Sequence, residues 1–305
     1  MGVHDHRHRE PVNKQAQIKS EQSLNGLPIK AQIHELSLGE RDSFTVMQKP
    51  QASYEYLSPA LPRILAHRGF AANSGLIENT IPAFQAALAL GATHIESDIQ
   101  VTKDGVAVLF HDDDLARVAG LPQRIEEIES QQLLEIDLGG GVRIPTLREA
   151  LTLLPDARFN LDLKVSAAID PAVALIRELE AEQRVLLASF SEARRNAAIL
   201  QFNGSVASSA GGARVLGIWL AAKLRLNGMV RRLAVPVQAL QLPTGKGLIR
   251  FDSPGFISAV SSAGLELHYW TINEPAEMQR LIALGAHGIV TDRTDLAVNT
   301  LGKPS

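Results

Sequence analysis

Eight short β-rich runs alternate with amphipathic segments between residues 63 and 292, and this repeat constrains the fold more than any other feature of the chain. The runs are RILAH (63–67), THIESD (93–98), RFNLDLK (158–164), VLLASF (185–190), SVASS (205–209), VPVQAL (235–240), LELHYWT (265–271) and HGIVTD (287–292). Strands separated by helix-length connections pair in parallel, because a parallel crossover needs a dozen or more residues. The segments between them include ENTIPAFQAALALG (78–91), DPAVALIRELEAE (170–182), DSPGFISAVSSAG (252–264) and NEPAEMQRLIALG (273–285). Several open on Asn or Asp with Pro close behind and close on Gly, the punctuation of helices. Eight such units in about 240 residues predict an α/β fold, a (β/α)8 TIM barrel. A doubly wound sheet is the alternative, but no glycine fingerprint follows the first strand to mark a dinucleotide site.

One run breaks the alternation. VAVLF (106–110) is separated from the second strand only by Thr102-Lys103-Asp104-Gly105, too short for a helix. Asp-Gly between two extended runs is a strong hairpin signal, so residues 99–111 read as an antiparallel hairpin excursion after the second strand. With Asp104 and Gly105 as the two central turn residues, Lys103 pairs with Val106 and the ladder pairs Asp98 with His111. Directly opposed residues share a sheet face, and Glu96 and Asp98 share one by alternation. This register predicts Glu96, Asp98 and His111 side by side.

The rest of the chain sets bounds. Residues 1–60 are polar and weakly periodic and read as an extension with partial disorder, leaving 61–305 for the barrel. There are no cysteines, which excludes disulfides, thiolate zinc sites and a thiol nucleophile. The net charge of −3 arises from 30 bases and 33 acids, so no overall basic field predicts nucleic acid or an anionic membrane as partner. No run approaches the ~20 apolar residues of a transmembrane segment, and a cytoplasmic location is expected. Nothing in the sequence marks an oligomeric state.

In a barrel the chemistry sits at the carboxyl ends of the strands, and polar residues gather there. His67 and Arg68 end the first run, Glu96 and Asp98 the second, Asp162 and Lys164 the third, Trp270 the seventh and Asp292 the eighth. Three carboxylates from adjacent strands suit a hard divalent cation, Mg²⁺ or Ca²⁺, that takes oxygen ligands. Arg68 and Lys164 suit a phosphate beside it. His67 and His111 titrate near neutral pH, as a general acid and a general base require. Together these residues point to metal-assisted phosphoester cleavage.

Seven stretches, LAHRGF (65–70), ENTIPAFQAALALGATHIESDIQVTKDGVAVLFHDDDLAR (78–117), IPTLREAL (144–151), LDLK (161–164), ASFS (188–191), WTINEPAEM (270–278) and LGAHGIVTDR (284–293), carry a resemblance. In this order they resemble the glycerophosphodiester phosphodiesterase family over roughly residues 63–296. The resemblance implies a barrel that splits a glycerophosphodiester into glycerol 3-phosphate and an alcohol. It implies His67 and His111 as the acid/base pair, Glu96, Asp98 and Asp162 as ligands of one divalent metal ion, and Arg68 and Lys164 as phosphate contacts. Glu78 matches a family position near metal and substrate, and Trp270 is a candidate substrate platform. The mechanism it implies has the glycerol 2-hydroxyl attack phosphorus, with water then opening the cyclic phosphate. Asp162 departs from the family, which usually has Glu there. Two further readings are a lysophospholipase D-like activity on lysophospholipids, for which LGIWLAAKLRL (216–226) is the candidate apolar surface, and a barrel that binds phosphoesters without turnover.

Overall fold

The computed structural model describes residues 54–302; the polar extension assigned to residues 1–60 lies outside the described residues except for 54–60. Eleven strands are described: β1 (Arg63–His67), β2 (His94–Val101), β3 (Ala107–Leu109), β4 (Phe159–Leu163), β5 (Val185–Ala188), β6 (Ala207–Ser208), β7 (Ala239–Leu242), β8 (Gly245–Lys246), β9 (Ile249–Arg250), β10 (Glu266–Tyr269) and β11 (Gly288–Thr291). Eight pair in parallel in the order β6-β5-β4-β2-β1-β11-β10-β7. A bridge between Ser209 and Ala239 joins the two ends, with Gln238 N donating to Ser208 O at 2.9 Å. The result is a nearly closed barrel whose seam lies between β6 and β7.

All eight expected runs are barrel strands. The sixth is displaced from 235–240 to Ala239–Leu242, because Val237 N still bonds Ala234 O and closes the preceding helix. The β8–β9 hairpin was not foreseen; it follows β7 at the carboxyl end of the barrel.

Helices return the chain between strands: α1 (Ile81–Leu90), α2 (Leu147–Leu153), α3 (Ile169–Glu178), α4 (Glu192–Phe202), α5 (Gly212–Lys223), α6 (Asn227–Ala234), α7 (Pro254–Ser262), α8 (Pro275–Ala283) and α9 (Thr294–Leu301). Helix α2 starts on a capping box in which Thr146 and Glu149 satisfy each other's backbone N–H. Proline sits in the first turn of α1, α7 and α8, but their caps are Thr80, Ser253 and Glu274. Asn79, Asp252 and Asn273, which look like helix openers, have other partners. Among the described residues no helix is long and apolar enough to cross a membrane.

Strand alternation divides the side chains between two environments. Ile95 and Ile99 of β2 and Phe159, Leu161 and Leu163 of β4 pack outward against Phe84 of α1 in a fully buried cluster, each contributing roughly 1.5–3 kcal/mol. The residues between them, Glu96, Asp98, Asn160 and Asp162, are buried and polar. Asn160 shares a hydrogen bond with Gln241 across the barrel, at 3.1 Å.

The hairpin excursion exists, in a register one residue from the expected one. Ile99 pairs with Leu109, Gln100 with Val108 and Val101 with Ala107, so Phe110, not His111, lies opposite Asp98; Phe110 N donates to Asp98 O at 3.0 Å. The turn has three residues, Lys103-Asp104-Gly105, with Gly105 at φ 84°, as three-residue hairpin loops favour. Contacts outside the hairpin select it. Ser130 donates to both Asp104 oxygens, at 2.8 and 2.6 Å, and Lys103 N donates to Ile128 O at 2.9 Å.

The amino-terminal end of the barrel is plugged by residues 54–57. Tyr54 OH donates to Gly204 O, His94 Nε2 meets Tyr56 O at 2.7 Å, and Arg63 donates to Leu57 O while pairing with Glu266 at 2.5 Å. Burial pushes the His94 pKa down to about 3. Burial opposes ionisation of Glu266, yet Arg63 and His268 outweigh it and hold this carboxyl at about 2. Both folded-state values lie below the ordinary ones, 6.5 and 4.5. Each group therefore stabilises the fold fully above its ordinary value and less as the pH falls towards its folded one. These two groups take stability away below pH 6.5 and again below 4.5, against the opposite contribution of Glu96 and His67, whose folded values lie above their ordinary ones. By pH 5 the His94 share amounts to about 2 kcal/mol. Urea unfolding at pH 7.5 and 5 checks this: between the two pH values the parent should lose about 2 kcal/mol relative to His94→Gln, and the same pH response in both proteins would refute the assignment.

Candidate active site

The register of the parallel strands builds the site in rows. His67 of β1 lies beside Glu96 of β2, and Glu96 beside Asn160 of β4. One step toward the carboxyl end, Asp98 lies beside Asp162, and Asp162 beside Ala188 of β5. Acidic side chains from neighbouring strands thus point into the same end of the barrel without any long-range fitting.

The turn after β1 is tightly constrained. Arg68 has φ 54°, a conformation uncommon for a residue with a side chain. It is held by Arg68 N donating to Glu96 Oε2 at 3.1 Å and by Asn79 N donating to Arg68 O at 2.9 Å. Gly69 follows at φ 82°, where a Cβ would lie 2.8 Å from the Ala83 carbonyl carbon. Only glycine fits this approach of the loop to α1. The His-Arg-Gly sequence therefore aims Arg68 back over the acidic rows, 3.4 Å from Asp98 and 3.0 Å from Glu78.

Charge is concentrated at this end of the barrel. Lys164 Nζ bridges Asp98 Oδ1 at 2.7 Å and Asp162 Oδ2 at 2.8 Å. Asn79 donates to the other Asp98 oxygen at 3.0 Å and is itself held by the Ser97 hydroxyl. Burial resists ionisation of Asp98, but Lys164 and Arg68 outweigh it and leave the carboxyl below its ordinary value. Burial and the Asp98 charge push Glu96 up to about 7. Burial also raises Asp162, against the pull of Lys164.

The donor set fits a hard cation in kind. Three carboxylates supply oxygen, and Asp162 Oδ1 is buried without a hydrogen-bond partner. Among the described residues, however, no three Asp, Glu, His or Cys side chains converge at ligand spacing. The Lys164 ammonium bridges Asp98 and Asp162, so direct ligation of one ion by all three acids requires this bridge to open.

Both histidines are braced by an aspartate at Nδ1. His67 Nδ1 lies 2.6 Å from Asp292 Oδ1, and His111 Nδ1 lies 2.7 Å from Asp112 Oδ1. Each Nε2 is thereby left for proton transfer. Burial lowers the His67 pKa, but Glu96 and Asp292 outweigh it and hold the imidazole above its ordinary value. Asp292 is fixed by Asn273, which donates to its second oxygen at 2.8 Å. Arg117 donates to Asp112 at 2.6 Å and to Glu78 at 2.6 and 3.1 Å. Glu78 also binds Arg68, so one chain of ion pairs links the His111 brace to the first loop.

His67, Arg68, Glu96, Asp98, His111, Asp162, Lys164 and Trp270 all line one cavity of about 540 Å³. Glu78 lines the adjoining one, with Arg117 and Asp292. Trp270 is half-buried and meets Phe190 edge to face, centroids 5.9 Å apart. His111 joins the group by the loop after β3, not by the expected strand pairing. The sequence reading assigned no role to Asn79, Asp112, Arg117, Asn273 or Asp292. The position next to His111 in the sequence was the available signal for Asp112, whereas Asp292 meets His67 across 225 residues.

The sequence profile of the glycerophosphoryl diester phosphodiesterase family matches residues 67–296. The "Probable glycerophosphodiester phosphodiesterase 2" of Mycobacterium tuberculosis is 40% identical over 238 residues, covering 78% of this chain and 89% of that one. "Lysophospholipase D GDPD1" of Rattus norvegicus is 25% identical, covering 76% and 83%. Among solved structures, an Oleispira antarctica phosphodiesterase in complex with the product sn-glycerol-3-phosphate superposes with a TM-score of 0.62 at 23% identity, covering 79% of this chain and 96% of that one. With the family's motifs in place over most of the described barrel, the chain belongs to the glycerophosphoryl diester phosphodiesterase family.

Proposed function

We propose that the protein hydrolyses glycerophosphodiesters to glycerol 3-phosphate and an alcohol, using His67 and His111 as the acid/base pair and one divalent cation. The observation that carries this reading is the pairing of two aspartate-braced histidines with Arg68 and Lys164 around a single cavity. The Mycobacterium tuberculosis relative and the product-bound Oleispira antarctica structure support the substrate class.

Arg68 presents its guanidinium, and Lys164 its ammonium, to a phosphoryl group entering from the cavity; both stabilise negative charge that grows on its oxygens. One histidine Nε2 removes a proton from the glycerol 2-hydroxyl as it attacks phosphorus, while the other delivers one to the departing alcohol oxygen. Water then opens the cyclic phosphate with the two proton-transfer roles reversed, giving glycerol 3-phosphate. Asp292 and Asp112 hold the two Nδ1 atoms and so keep Nε2 aimed at the substrate. A cation, Mg²⁺ or Ca²⁺, held by Glu96, Asp98 and Asp162 would add Lewis-acid stabilisation of the same oxygens. Asn79 positions Asp98 for that role.

Purified protein should release glycerol 3-phosphate from glycerophosphocholine in the presence of Mg²⁺ or Ca²⁺. Binding of glycerophosphocholine, seen as a rise in melting temperature, with no product released under either metal would leave a phosphoester-binding barrel instead.

A further inference from the structure

The net charge of −3 conceals a strong local asymmetry. Residues 193–251 contain nine Lys or Arg and not one Asp or Glu. With 33 acids in 305 residues, a stretch of this length would ordinarily hold about six. It spans α4, α5, α6, the seam strands β6 and β7, and the β8–β9 hairpin. Four of its bases are engaged: Arg194 with the Leu163 carbonyl, Arg195 and Arg214 with Glu192, and Arg250 with Asp252. The other five, Lys223, Arg225, Arg231, Arg232 and Lys246, are exposed, with no carboxylate in the stretch to neutralise them.

The same stretch carries most of the exposed large apolar side chains of the described residues. On α5 and its C-cap, Leu216, Leu220 and Leu224 follow one another at four-residue spacing and are 50%, 51% and 61% exposed. This spacing stacks them in a row along one face of a helix about 18 Å long. The opposite face, with Val215, Ile218 and Ala221, is buried against the barrel. The row is therefore surplus to the core. Leu248 is fully exposed at the tip of the β8–β9 hairpin. The two elements are tied together, since Trp219 of α5 donates to the Arg250 carbonyl at 3.0 Å.

This surface continues into the candidate active site. Leu216 at the head of the row, Lys246 and Ile249 of the hairpin, and Phe190, 68% exposed, all line the cavity that contains both histidines. The polar groups lie on the β1, β2 and β4 side, and the apolar wall lies toward the acid-free stretch.

We infer that residues 212–250 form an interfacial docking surface for anionic phospholipid, seating the mouth of the cavity against lipid headgroups. Exposed leucines beside bases that pair with no carboxylate among the described residues, which also hold no membrane-spanning helix, are what shallow insertion into such a surface requires. Each base near an anionic leaflet strengthens binding about fivefold, and the attraction acts within a Debye length of the surface. That the docked mouth admits substrate rests on the phosphodiesterase reading; the docking itself does not and is measured without turnover.

The test is co-sedimentation of the full chain with vesicles of phosphatidylcholine alone and of phosphatidylcholine with one-third phosphatidylglycerol. The protein should pellet with the anionic vesicles only and be released by high salt. Leu220→Asp/Leu248→Asp should weaken pelleting at least tenfold, with melting temperature and vesicle-free turnover of glycerophosphocholine unchanged. Neither side chain belongs to the catalytic machinery. Lys223→Glu/Arg225→Glu tests the charge separately and should also weaken binding at least tenfold. No pelleting of the unmodified protein, or equal pelleting of all variants, would overturn the inference. So would a concentration-dependent dimer, dissolved by Leu220→Asp, in a protein that ignores vesicles; that outcome would give the surface to a second copy of the chain.

Discussion

Alanine at His111 or at His67 is expected to lower kcat for glycerophosphocholine by about 10²–10⁴-fold, the usual contribution of a positioned acid or base. Stability should barely change. Both imidazoles border the cavity, with side chains 34% and 20% exposed, and neither packs in an apolar cluster. In the proposed mechanism the two act on opposite sides of one phosphorus centre, so combining the substitutions should cost little more than the worse of them. Residual activity of each variant then reports what Arg68, Lys164 and any bound cation supply alone. Turnover within a few-fold of the parent in either variant, with product confirmed, would remove that histidine from the acid/base pair.

The second large effect concerns the carboxylates. Treatment with a chelator is expected to abolish turnover, and Mg²⁺, Ca²⁺ or Mn²⁺ to restore it. The reason is electrostatic: Glu96 and Asp162 are held above their ordinary ionisation ranges, and Asp162 Oδ1 is buried without a partner. A cation that relieves this conflict also stabilises the fold, by about 2.7 kcal/mol at a hundredfold excess over Kd. Binding should therefore raise the melting temperature, and Asp162→Ala should suppress that rise as well as activity. Asp162→Glu, one methylene longer, should preserve both. Full activity in chelator with no thermal response to cations would leave Lys164 as the charge that serves the phosphate. The bridge it makes between Asp98 and Asp162 would then be the working arrangement.

Much of this was legible from the residues. The alternation of β-rich and helical runs determined the barrel, because parallel strands with crossover helices admit few other closures. Strand-end placement brought His67, Glu96, Asp98, Asp162 and Trp270 to one end, since period-two alternation and parallel register leave no other route for those side chains. The hairpin was legible too, but not its register. Asp104-Gly105 is compatible with a two- or a three-residue loop, and Ser130 and Ile128, more than twenty residues away, select the longer one. Local sequence holds no record of that choice.

The same limit applies to the residues that brace the site. Asn79 and Asn273 have the composition of helix openers, yet one holds Asp98 and the other Asp292. A short amide serves equally as a cap or as a long-range donor, and only the folded neighbourhood decides which partner it meets. LGIWLAAKLRL (216–226) stands out in the sequence as the candidate apolar surface, but which of its leucines face solvent and which residues face the core is set by how the helix packs on the barrel. By itself the sequence determined the architecture and which candidate groups gather at one end of the barrel, because periodicity and strand ends are local properties. The hairpin register, the braces on both histidines, the Lys164 bridge and the exposed face depend on contacts between distant segments, and only the tertiary structure decided them.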